Sequence, residues 1–252
     1  MVLDFKKIDF FKSNGWLKVD SFLTEKEVNM ITKKINLFLK KKSKNYNGRD
    51  INYTGDNSKI SQINSFHKLH DLTAIKKFSE QKKITNFTKK LLKSKTIVLK
   101  ASEYFAKPKK TGLPVPIHQD NYYWNIIGGK ALTVWIALSK SQKKNGGVYY
   151  FEKSHKKGVL KHVPSFAKGS SQKIKNQKML IKKYKKVLPQ LNKGDALFHH
   201  CEIAHGSSAN KSQTSRIGLT FQFKDKDSKY DKKLIKKYEK KLLYQVKQRN
   251  EN

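Results

Sequence analysis

Apolar and polar positions recur along the chain in two rhythms, a helical one at its two ends and a shorter one between them. In "FLTEKEVNMITKKINLFLK", residues 22–40, Val28, Ile31, Ile35 and Phe38 fall at helical intervals, and Thr24 stands three before Glu27 in capping-box spacing. An amphipathic helix is predicted there. "LTAIKKFSEQKKITNFTKKLL", residues 72–92, predicts one or two more, and the polar stretch 43–59 between them reads as a loop. From residue 96 the texture changes to "TIVLKASEYFAKP", "ALTVWIAL", "GGVYYFEKS" and "DALFHH", β-branched and aromatic runs broken by Gly, Pro and Asn. These predict strands. After "RIGLTFQFKD" a last helix is expected from about Ser228 to Gln248, with Leu234, Tyr238, Leu242 and Val246 on one stripe. The expected organisation is a single domain over 1–252: a helical part to about 95, an all-β core over about 96–224 and a C-terminal helix over about 228–248.

Composition narrows the class. At 252 residues and 37% apolar content the chain can bury a full core. Its lone cysteine, Cys201, excludes an internal disulfide and a cysteine-rich zinc site. No stretch approaches the roughly 18 consecutive apolar residues of a membrane span, and the opening "MVLDFKKIDFFKSNG" has acidic residues and no long apolar run, unlike a signal peptide. A cytoplasmic protein with no membrane partner is expected. The net charge of +37 suggests nucleic acid, but the basic residues run from Lys6 to Arg249 and only three of the 56 are arginine. Phosphate and base readers favour the arginine fork, so the excess reads as a solvated lysine surface reflecting codon bias, with no specific nucleic-acid partner. Oligomeric state is not legible.

Candidate chemistry gathers in "PVPIHQDNYYW", residues 114–124. In a strand, His118 and Asp120 would share one face and Gln119 take the other. An imidazole and a carboxylate side by side suit a metal site or a surface pair. A facial iron site needs a third ligand from another strand, usually histidine. His205 is the candidate, in "HHCEIAHGSSANKSQTSRIGLTF", where "DALFHH" ends in a Gly and Ser turn, and Arg216 follows eleven residues on. Two neutral imidazoles and one carboxylate leave three iron positions open, two for a 2-oxo acid and one for O₂. An arginine can hold the far carboxylate of 2-oxoglutarate by paired charge-assisted bonds, which a lysine does less well. Rival histidines are weaker. His200 and Glu202 form a second His-x-acid pair but lack a separate returning histidine, so His199 and His200 read as strand-end residues. His155 and His162 flank "KKGVLK", where both read either as part of a solvated loop or as residues touching substrate at the mouth, while His67 and His70 show no partner. Tyr122, Tyr123 and Trp124 divide between core and substrate cavity.

"HQD" at 118–120, "HGSSANKSQTSR" at 205–216, "WIAL" from 135 and "NGGVYYFEKSHKKG" from 145 together resemble the phytanoyl-CoA dioxygenase family of Fe(II)/2-oxoglutarate-dependent oxygenases. The opening "FFKSNGWLKVDSFLTEKEV" is similar to that family's N-terminal helix entry, so the resemblance covers most of residues 10–224. It implies a double-stranded β-helix, a cupin-like jelly roll with iron at one open end. By matching position, His118, Asp120 and His205 would be iron ligands and Arg216 the 2-oxoglutarate anchor. Ser207 would add a hydroxyl to the same carboxylate, Trp135 would wall the pocket, and Lys59 in "SKISQI" would add a basic contact. Gln119, Tyr122, Trp124 and His155 are the substrate-side candidates. The implied reaction consumes O₂ and 2-oxoglutarate, releases CO₂ and succinate, and hydroxylates a small metabolite. Halogenation needs the place that Asp120 occupies. Alternatives are an acyl-CoA or phosphonate substrate, or a non-catalytic basic binding protein on the same scaffold.

Overall fold

Local signals place the N-terminal elements. In the computed structural model, which describes residues 3–55, 59–167 and 170–250, helix α1 (Phe5–Asn14) starts where the Asp4 side chain accepts the Lys7 amide, and stops at Gly15 in the left-handed region at φ 83°. Strand β1 (Trp16–Val19) follows, then α2 (Glu25–Lys42), whose predicted capping box between Thr24 and Glu27 is formed. The buried stripe of α2 is Val28, Ile31, Ile35 and Leu39, while Phe38 is only partly buried.

Next come β2 (Ile51–Tyr53), β3 (Ile63–Phe66), α3 (Thr73–Ser79), α4 (Lys82–Leu92), β4 (Ile97–Lys107), β5 (Val115–His118), the one-turn α5 (Asn121–Trp124), β6 (Ala131–Ala137) and β7 (Val148–Phe151). The chain then continues through β8 (His162–Ala167), β9 (Ser170–Ile174), α6 (Gln177–Lys183), β10 (Lys186–Val187), β11 (Ala196–His200), β12 (His205–Ser207), β13 (Arg216–Asp225) and α7 (Lys232–Asn250).

A seven-stranded antiparallel sheet, β1-β11-β6-β13-β4-β3-β2, faces a four-stranded one, β10-β7-β12-β5, and β8 pairs with β9. The expected jelly roll is the fold. Alternation assigns the two faces of the large sheet. Phe198 and Phe221 point outward onto the helices, where Phe198 meets Phe22 and Phe87 and Phe221 stacks on Phe78. Trp135 and Leu197 point inward, against Val148 and Tyr150 of the small sheet.

Two expectations are corrected. The stretch 43–59 is not all loop, because it contains β2, and the part expected to be helical supplies three strands. β1 forms one edge of the large sheet and β2 the other. Strands of three or four residues carry too short a pattern to read, and what makes them strands is a free sheet edge that needs hydrogen bonds: Trp16 lies in register with His199, far away in sequence. At the other end, α7 begins at Lys232. Tyr238 and Leu242 are half-buried on it and Leu234 is exposed; the side chain of Val246 lies outside the described residues. No described helix is long and apolar enough to cross a membrane.

Candidate active site

Strands β5 and β12 pair with His118 directly opposite His205, their ring centroids 4.3 Å apart. Asp120 joins them by a route that strand parity did not anticipate. β5 ends at His118, and Asp120 is in the helical region at φ −59° and ψ −40°, where its carbonyl accepts the amides of Tyr123 and Trp124. The turn, not an alternating strand, swings the carboxylate inward. Its Oδ1 lies 3.6 Å from Nε2 of both His118 and His205. Each ring's other nitrogen donates to a backbone carbonyl, His118 Nδ1 to Pro116 at 2.9 Å and His205 Nδ1 to Ile203 at 3.0 Å. That fixes the tautomer and leaves both Nε2 lone pairs directed to the common centre.

The second carboxylate oxygen is tied back. Asp120 Oδ2 accepts the Thr133 hydroxyl at 2.7 Å and His199 Nε2 at 3.2 Å, while Tyr150 donates its hydroxyl to His199 Nδ1 at 2.9 Å. Burial pushes His205 down to about 3. Burial also works to raise the Asp120 carboxyl, but the imidazoles of His205, His118 and His199 outweigh it and hold the group well below the usual carboxylate range. A carboxylate beside two imidazole nitrogens, with all three ligand atoms within 4.8 Å of one another, is a donor set suited to a divalent cation of the Fe(II) type.

The same cavity, about 600 Å³, is lined by Trp135, Ser207 and Arg216. Arg216 is buried, with Cζ 5.3 Å from the Trp135 ring centroid, and its Nη2 donates to the Gly146 carbonyl at 3.1 Å. Its Nε is buried without a partner, and no described carboxylate is within ion-pair reach. Lys107, in register with Arg216 on the neighbouring strand, is also buried; burial and then Arg216 push its amine down to about 6, and its Nζ donates to the Leu113 carbonyl rather than lining the cavity. A buried guanidinium without an acid forms a natural seat for an anion. Gly218 makes room for the Trp135 ring, which a Cβ there would approach to 2.1 Å.

Some sequence candidates lie elsewhere. Gln119 is fully buried, its amide spanning the Gly158 and Glu202 carbonyls and the Leu160 amide, so it pins loops behind the site. Tyr122 stacks on His162 at 4.1 Å, outside the cavity lining, whereas Tyr123 and Trp124 line it. His155 packs against His200 and bonds the Lys12 carbonyl, away from the cavity, because α1 covers it. Lys59 is exposed and does not line the cavity. His67 does have a partner: Nδ1 lies 2.8 Å from Glu103 Oε1, on the cavity wall. Sequence reasoning did not place Thr133, His199, Glu103 and Lys100 on the cavity wall, where they lie. Parity held a signal for two of them, since Thr133 and His199 pair with each other on the inward face that carries Trp135 and Leu197.

The family model for phytanoyl-CoA dioxygenase matches residues 11–218. A phytanoyl-CoA dioxygenase of Arabidopsis thaliana is 25% identical over 254 residues, 88% of each chain. Phytanoyl-CoA dioxygenase domain-containing protein 1 of Danio rerio is 28% identical over 64% of this chain, which spans 57% of that protein's length. Among solved structures, EctD from S. alaskensis with 2-oxoglutarate and 5-hydroxyectoine superposes with a TM-score of 0.74 at 16% identity, covering 91% of this chain and 78% of the other. That likeness is one of fold.

Proposed function

The chain belongs to the phytanoyl-CoA dioxygenase family, and from that premise we propose that it is an Fe(II)- and 2-oxoglutarate-dependent oxygenase that hydroxylates a small molecule. His118, Asp120 and His205 would hold the iron, and Arg216, Ser207 and Trp135 the cosubstrate. One observation carries the reading: a single cavity contains two imidazoles with Nε2 free, an ionised carboxylate and a buried guanidinium whose Nε has no partner. Iron, when bound, supplies O₂ activation coupled to decarboxylation of 2-oxoglutarate.

The chain's own residues set the geometry for that chemistry. The Arg216 fork receives the far carboxylate of 2-oxoglutarate, and Ser207 offers it a hydroxyl. Thr133 and His199 occupy Asp120 Oδ2, which keeps Oδ1 turned to the metal centre. Asp120 fills the place a halide would need, which supports hydroxylation over halogenation. Trp124, Phe105 and the α7 side chains Tyr238 and Leu242 wall the cavity and exclude water. The cytoplasmic location expected from the sequence belongs to the same proposal.

Titration of the Fe(II) protein with 2-oxoglutarate under argon, followed by its charge-transfer absorption, and succinate release in air test the reading. Both signals are expected in the wild type and lost in His118→Ala, Asp120→Ala and His205→Ala. A wild-type protein that binds iron but gives neither signal would be a non-catalytic binding protein.

A further inference from the structure

Lys100 lies on the cavity wall at a position where strict strand parity would have turned it outward. In β4, Tyr104 and Ala106 enter the helix-side core while Ala101, Glu103 and Phe105 face the cavity. A β-bulge breaks this register: Gln222 pairs with Ala101 and Phe223 with Leu99, so Lys100 is the extra residue. The bulge brings Lys100 onto the cavity face beside Ala101 and returns Leu99 to the core side. Bulges beside active sites commonly re-aim a side chain in this way.

The ammonium so placed is half-buried, with Nζ 5.4 Å from the Trp124 ring centroid and no described carboxylate within 4.0 Å. Glu103, on the same wall, is already committed. Its Oε1 is paired with His67 Nδ1 at 2.8 Å, and its Oε2 accepts Gln222 Nε2 at 2.6 Å. Burial pushes the Lys100 ammonium below its ordinary range, an effect that the charges of Glu103 and Asp120 only partly offset. Arg49, one of three arginines in the chain, lines the same cavity from an exposed position with no ion-pair partner among the described residues.

We propose that Lys100 determines specificity, and that the substrate is a small organic anion: an apolar or aromatic body whose acid group, carboxylate or phosphate, pairs with the Lys100 ammonium. Such a substrate lends the ammonium the counter-ion that its own fold withholds. A neutral or cationic analogue leaves the charge half-buried and unpaired, so it is rejected by the loss of a charge-assisted bond. The proposal rests on the oxygenase reading for what happens to the bound anion, but the cation's position does not.

The test uses Fe(II) protein saturated with 2-oxoglutarate under argon, in about 0.15 M salt to screen the lysine surface. Hexanoate, hexyl phosphate, hexan-1-ol and hexylamine are the probes, read by calorimetry and saturation-transfer NMR. At least one anion is expected to bind about tenfold or more tightly than the alcohol and the amine, the discrimination of one charge-assisted bond. Lys100→Met should abolish that preference and Lys100→Arg keep it, with Lys100→Gln as the second variant should the methionine form fold poorly. The exposed Lys33→Met should change nothing. Lys100→Met should also leave 2-oxoglutarate affinity intact and the melting temperature equal or higher, because a poorly paired, desolvated charge is removed. Absence of anion binding, equal binding of all four probes, an unaltered preference in Lys100→Met, or a loss of 2-oxoglutarate affinity in that variant would each overturn the proposal. Should 2-oxoglutarate fail to bind the wild type, the oxygenase reading falls, and the same probe series on metal-free protein still decides Lys100.

Discussion

Replacing Thr133 with valine exchanges one hydroxyl for a methyl group and nearly nothing else, which makes it a sharp test of how the proposed metal ligand set is aimed. The hydroxyl donates to Asp120 Oδ2 at 2.7 Å, the shorter of the two bonds that oxygen accepts, and Thr133 is 3% exposed, so water cannot readily take its place. A hydrogen bond to an ionised acceptor contributes about 1.5–3 kcal/mol. If that energy is spent holding Oδ1 toward Nε2 of His118 and His205, its loss frees the carboxylate to rotate and weakens metal binding. At about 1.4 kcal/mol per decade, affinity should fall about tenfold to a hundredfold, the range in which outer partners of metal ligands usually act. Valine keeps the β-branch and fills the same inward position on β6, so folding should survive with a melting shift of a few degrees. The assay is a Co(II) titration in air against a chromogenic chelator, with thermal melts of the metal-free proteins beside it. Affinities within twofold of one another would refute the claim that Thr133 orients Asp120.

Arg216→Lys keeps the charge but loses the fork; 2-oxoglutarate affinity should drop about tenfold to a hundredfold in the argon titration while Co(II) binding holds, and equal 2-oxoglutarate affinity would remove Arg216 as the anchor. Gly218→Ala should overpack the Trp135 ring, costing about 1–3 kcal/mol in chemical denaturation and reducing 2-oxoglutarate binding; an unchanged denaturation midpoint would contradict the close approach. The metal-free protein should lose stability on acidification. His162 and His200 are both held down to about 3 by burial, so the unfolded chain takes up their protons first and stability falls between about pH 6.5 and 3. His67 has the opposite sign: burial opposes its protonation, but Glu103 outweighs it and raises its pKa, so its contribution is present below pH 6.5 and fades as pH rises through the folded value. Urea midpoints across that range read the balance, and His162→Gln should reduce the acid slope by up to about 1.4 kcal/mol per pH unit; an unaltered slope would show that His162 is not one of the groups responsible.

Much of the site was legible before folding because its signals are local or chemical. The capping box at Thr24 and the apolar stripe of α2 are written within one or two helical turns. His118, Asp120 and His205 stand out as residue types that bind iron together, and Arg216 as a fork in a chain that otherwise uses lysine. The jelly roll followed from a family-like set of short motifs, and the dense β texture after residue 96 agreed with it.

What the tertiary structure decided depends on pairings that no local pattern encodes. β1 is a strand because the edge of β11 needs partners for its backbone groups, a need created far away in sequence. Asp120 reaches the imidazoles through a helical turn whose first amide, at Asn121, is taken by the Cys201 carbonyl; a strand continued through the same residues would have aimed it differently. Period two tells that Thr133 and His199 share a face, but which face encloses the cavity is settled only when the two sheets close on each other. Gln119 and Tyr122 sit beside His118 and Asp120 in sequence and behind them in space, since a turn separates chain neighbours that a strand would keep together. Lys100 shows the limit most plainly: a single extra residue in β4 reverses its parity and moves a charge from the core side to the cavity, and a bulge is a property of two paired strands, visible in neither alone.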